Sequence, residues 1–80
     1  MKLTKENVCV FIKDETQLEE ARKMLEKYGE IIDNYFFRLT QSEDNFLQYF
    51  PIDNDWGLAY QADETQITLQ QLEEILKKSK

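Results

Sequence analysis

The sequence has no histidine, one cysteine, one proline and two glycines among its 80 residues. Without histidine it lacks the commonest general base and the commonest zinc ligand. A single cysteine excludes an intrachain disulfide, a thiolate metal cluster and a redox pair, and it fits a reducing compartment. That residue, Cys9 in "NVCVFIK", reads as a small buried hydrophobe with no imidazole to activate it. With glycine only at Gly29 and Gly57, no phosphate-cradling loop exists. The apolar run Val8 to Ile12 is too short for a signal segment or a membrane span. The expected location is therefore the cytoplasm, with no membrane contact.

Basic residues are missing from much of the chain. Residues 1–38 carry eight acids and seven bases, whereas residues 39–76 carry eight acids and no base. Bases return only at Lys77, Lys78 and Lys80, and the net charge is −6. Such a field repels phosphates, so direct nucleic-acid binding is not expected. It favours a basic partner, and it also keeps a small protein dispersed.

Catalytic patterns are equally sparse. Ser42 and Ser79 stand in a turn and a tail, with no base pattern beside them. The pairs Glu19–Glu20 and Glu73–Glu74 are sequence neighbours, which point about 100° apart on a helix and cannot converge as a dyad. "DNDWG" offers Asp53 and Asp55 to a calcium loop, with Glu64 at the twelfth position. The loop then needs an oxygen ligand at its fifth position and glycine at its sixth, where the chain has Gly57 and Leu58. Aspartate and asparagine there are better explained as turn formers. The expectation is a non-enzymatic protein with no cofactor and no metal.

What the chain does contain is bulk and punctuation. Five phenylalanines, four tyrosines and one tryptophan sit in a chain that is 41% apolar. A domain of this size buries about 60–65% of its unfolded surface, enough for one core. Residues 1–80 are read as one small domain, with 1–6 a short polar tail. "VCVFI" reads as a strand covered on both faces. "DETQLEEARKMLEKYGE" reads as a helix. Thr16 and Glu19 fit a capping box, Leu18, Ala21, Leu25 and Tyr28 share a face, and Gly29 ends it. "IIDNYFFRLT", "FLQYFPI" and "WGLAYQ" read as three further strands, the middle one ending at Pro51. "ADETQ" reads as a connector. The closing helix, "TLQQLEEILKKSK", has a Thr68/Gln71 capping box and an Ile67/Leu72 staple, with Glu73–Lys77 and Glu74–Lys78 as i,i+4 pairs.

The expected fold is α+β, in the order β-α-β-β-β-α, a four-stranded mixed sheet with both helices on one face. The first helix implies a parallel right-handed crossover, and the next three strands an antiparallel meander. Parity puts Trp56, Leu58 and Tyr60 towards the helices. It leaves Phe36, Arg38, Leu47, Tyr49, Gly57 and Ala59 for the open face. Aromatics on a bare face point to a contact surface.

"EEARKMLEKYGEII", the aromatic strands, the "DNDWG" turn and "ITLQQLEEILK" together resemble small uncharacterised proteins carried by phages and related mobile elements. The resemblance implies a small accessory or regulatory protein that binds a host or phage protein, with no catalytic residues. Two readings of the residues follow. One is an interaction module that binds a protein partner or forms a homodimer through Phe36, Arg38, Leu47 and Tyr49. The other is an acidic inhibitor or nucleic-acid mimic that offers Asp53, Asp55, Asp63 and Glu64 to a basic protein. A small-ligand binder has no motif behind it.

Overall fold

In a computed structural model of the chain, residues 2–40, 45–59 and 64–78 are described. Six elements follow one another: β1 (Val8–Phe11), α1 (Glu15–Lys27), β2 (Phe46–Phe50), β3 (Asp55–Ala59), β4 (Thr65–Ile67) and α2 (Leu69–Lys78). The strands form one mixed sheet in the order β3-β2-β1-β4. β2 pairs antiparallel with β1 and with β3, and β4 pairs parallel with β1. The α+β class, the β-α-β-β-β-α order and the four-stranded mixed sheet are as expected. Leu18, Ala21 and Leu25 of α1 and Leu72 and Leu76 of α2 share one core with Val8, Val10, Leu47, Trp56, Leu58 and Ile67. Both helices therefore cover the same sheet face.

Local signals account for both helices. Asp14, not Thr16, caps α1: its Oδ1 accepts the Gln17 N–H at 3.0 Å, while Gln17 Oε1 accepts the Lys13 N–H at 2.7 Å. At the other end Gly29 takes φ 75°, and the Glu30 N–H reaches the Leu25 carbonyl at 2.9 Å, closing the helix with a left-handed residue. At α2 the Thr68 Oγ1 accepts the Gln71 N–H, and Gln71 Oε1 accepts the Thr68 N–H. Ile67 and Leu72 are both buried, as a staple requires. Glu73 does not pair with Lys77. It accepts the Tyr28 hydroxyl at 3.1 Å and lies 3.6 Å from Lys27, tying α2 to α1.

Two strand assignments change. The segment 31–40 makes no strand. Ile32 forms an isolated parallel bridge with Trp56, and then Asp33 Oδ1 accepts the N–H groups of Tyr35 and Phe36. That side chain competes for the backbone donors a ladder would need, and a turn follows, with Phe37 N–H on the Asp33 carbonyl. The crossover through α1 does deliver the chain parallel to β1, but beyond β3 and for a single bridge. In its place Thr65–Ile67 supplies the fourth strand, where Thr65 and Gln66 were read as connector and Ile67 as the staple residue. The ends of two other expected features, residues 41–44 and 60–61, lie outside the described residues.

The amino-terminal residues are tied to this frame. Leu3 packs at the core margin. Lys5 Nζ lies 3.1 Å from Glu30 Oε1, which also accepts the Trp56 Nε1–H at 2.9 Å. Trp56 is 0% exposed, on the helix-covered face where its parity with Leu58 placed it. Blue-shifted emission from this single tryptophan is the expected signature.

Candidate interaction groove

Register decides which side chains share a sheet face. Leu47 is opposite Leu58, and Tyr49 is opposite Trp56. Leu47 and Tyr49 therefore point towards the helices with Trp56 and Leu58, not to the open face. Leu47 is 0% exposed. Tyr49 packs its ring 5.5 Å from Trp56, beneath Lys5 Nζ at 4.5 Å, and its hydroxyl donates to Asn54 Oδ1. The register thus corrects their placement on the open face.

The side of the sheet away from the helices carries Cys9, Phe11, Phe46, Gln48, Phe50, Gly57 and Ala59 by the same alternation. Phe11 and Phe46 meet edge to face with centroids 5.7 Å apart. Cys9 on this face is only 2% exposed, with its Sγ 3.6 Å from the Glu64 carbonyl oxygen. Burial, then the Glu64 charge, raises its pKa, so the thiol is a poor nucleophile. The middle of this face is therefore not bare.

Phe11 is exposed on this face, but the more exposed large apolar side chains, Ile31, Tyr35, Phe36 and Ile52, lie by the β3 margin. The Leu58 N–H donates to the Phe36 carbonyl at 2.8 Å, fixing the 33–37 turn beside β3. Phe36 then lies over Gly57: a Cβ there would stand 2.9 Å from Phe36 Cβ and 3.1 Å from Phe50 Cε2. Only glycine leaves room for this approach. Tyr35 is 65% exposed and Phe36 53%, their rings 4.8 Å apart, with the Arg38 guanidinium 5.1 Å from the Tyr35 centroid. Ile52, in the β2–β3 turn, is 95% exposed. Tyr35, Phe36 and Arg38, with Phe50, Leu58 and Ala59, line a groove of about 480 Å³, bordered also by Asp33 and Asp53.

Of the expected contact residues, Phe36 and Arg38 line this groove, while Leu47 and Tyr49 do not border it. Of the expected acidic set, Asp53 and Asp55 belong to the β2–β3 hairpin. Glu64 immediately precedes β4, at the opposite sheet edge, three strand spacings or about 14 Å away. Asp63 lies outside the described residues. Asp33, not singled out in the sequence, joins Asp53 and Asp55. Its signal was present as the one polar exception in an otherwise apolar alternation.

The three aspartates act on one another. Asp55 Oδ1 is buried without a hydrogen-bond partner among the described residues. Loss of solvent, then the Asp33 and Asp53 charges, lifts the Asp55 pKa above its ordinary 3.8. A raised folded-state pKa gives stability that is complete below the unfolded value and is lost as pH rises through the folded one. Asp55→Asn should accordingly raise the melting temperature at pH 7, and the gap from wild type should close as pH falls towards 3.8. Parallel thermal melts of the two proteins across that range check the sign.

Among the described residues no group of three histidine, cysteine, aspartate or glutamate side chains is arranged to hold a metal ion, and no helix is long and apolar enough to cross a membrane. The chain matches no family model, no curated protein and no solved structure.

Proposed function

We propose that the protein is a non-enzymatic interaction module that binds a protein partner along the β3 margin of its sheet. The exposure of Tyr35 and Phe36 on an apolar groove is the observation that supports this reading. Large apolar side chains grouped on a surface and rimmed by charge mark contact sites. Aromatic rings bring large contact area with few rotatable bonds, so little freedom is lost on binding. The acidic rim disfavours nucleic acid. The role that fits these properties is that of a small accessory or regulatory protein in the cytoplasm, acting by occupancy.

Phe36→Ala and Tyr35→Ala provide the test, since both remove exposed rings and Phe36→Ala keeps the Cβ over Gly57. Immobilised wild-type protein should capture a discrete partner that both variants lose, with melting temperatures within about 3 °C of wild type. Capture that the variants leave unchanged, or self-association as the only contact, would overturn the reading. A second reading, an acidic inhibitor of a basic protein, draws on the Asp33–Asp53–Asp55 grouping. Salt separates the two: a charge-driven complex weakens steeply between low and moderate ionic strength, and one seated mainly on aromatic rings weakens only slightly.

A further inference from the structure

We infer that the groove receives a cationic side chain of the partner, a lysine or arginine whose alkyl stem lies on Phe36, Phe50 and Ala59 and whose charged head meets Asp33 and Asp53. This rests on the interaction-module reading and names the chemistry of the partner. The floor is apolar and the rim is anionic, a combination that suits a long aliphatic stem ending in a cation. Asp53 is exposed at the hairpin turn, and Asp33 is held in place by accepting the Tyr35 and Phe36 N–H groups. The aim of Asp33 is therefore set before binding, which spares the ordering penalty a free carboxylate would incur. Arg38 is the single cation among the lining residues, and it lies on the Tyr35 ring. Two lining carboxylates against one guanidinium leave the rim negative, and the exposed Phe36 ring attracts a cation further.

The test uses three probes with one six-carbon stem: n-hexylammonium, n-hexanol and hexanoate, titrated into 15N-labelled protein at pH 7. Saturable amide shifts should centre on Asp33, Tyr35, Phe36 and Ala59. Hexylammonium should bind about threefold to tenfold more tightly than hexanol, as one or two solvent-accessible ion pairs allow, and hexanoate more weakly than either. In Asp33→Asn/Asp53→Asn the stem still binds, but the ammonium loses its advantage. The asparagine oxygen can still accept the two backbone N–H groups, so the turn persists. Equal binding of hexylammonium and hexanol, preference for hexanoate, or shifts elsewhere would overturn the inference. So would the absence of saturable shifts. Partner capture that depends on Phe36 while the probes show no charge preference would sink the cation inference and leave the module reading intact. Charge-selective probe binding without any captured partner would do the reverse.

Discussion

Leu47→Ala should lower the unfolding free energy by about 2–5 kcal/mol, whereas Phe36→Ala should lower it by about 1 kcal/mol or less. The contrast follows from register. Leu47 faces Leu58 across the β2–β3 ladder and Val10 across the β1–β2 ladder, beneath both helices, and none of its surface reaches solvent. Removing its three outer carbons forfeits their transfer free energy and leaves a cavity that the surrounding side chains cannot fully close. For a domain whose total stability is on the order of 5 kcal/mol, that loss populates the unfolded chain at ambient temperature. Phe36, in contrast, already has half its surface in water. Urea denaturation followed by the emission of Trp56 measures both, since this indole passes from full burial to solvent on unfolding. Equal destabilisation by the two variants would mean that the ladder register of β2 is not the one described.

The same register explains what could be read from the chain and what could not. The start of α2 was legible to the residue because its signals are local. The Thr68–Gln71 box and the Ile67–Leu72 staple join groups three to five positions apart. Gly29 likewise announced the end of α1 through a left-handed angle that other residues resist. Trp56 was placed correctly because β3 alternates cleanly, with Gly57 and Ala59 on one side and Trp56 and Leu58 on the other. β2 offered no such contrast. Phe46, Leu47, Tyr49 and Phe50 are large and apolar on both parities, so alternation could not choose a face, and only pairing with β3 does. The 31–40 segment misled for a different reason. Its composition is that of a strand, but one side chain, Asp33, diverts two backbone N–H groups into a turn. Thr65–Ile67 is polar at two of three positions and was hidden for want of length. Its strand character comes from the parallel ladder to β1, a partner more than 50 residues earlier. The groove inherits both difficulties, because its walls come from the misread segment and from the ambiguous strand.

Gly57→Ala should cost about 1–3 kcal/mol and alter the groove at the same time. On most strands an alanine in place of glycine is favourable, since glycine has more backbone freedom to lose on folding. Here the added methyl would lie 2.9 Å from Phe36 Cβ, closer than two carbons pack, and 3.1 Å from the Phe50 ring. The Phe50 ring can rotate away, but Phe36 Cβ cannot move without its backbone. That backbone is anchored by its carbonyl on the Leu58 N–H and by its N–H on Asp33 Oδ1. The strain therefore falls on the 33–37 turn, whose displacement would carry Tyr35 and Phe36 off the groove. Two measurements should move together: the urea midpoint falls, and the amide resonances of Asp33, Tyr35, Phe36 and Leu58 shift more than those of α2. Hexylammonium binding should weaken as the floor and the carboxylate rim lose their alignment. An unchanged or higher midpoint with intact groove resonances would show that Phe36 is not pressed against Gly57. The close approach of these two residues holds the turn, shapes the groove and explains why position 57 excludes a side chain.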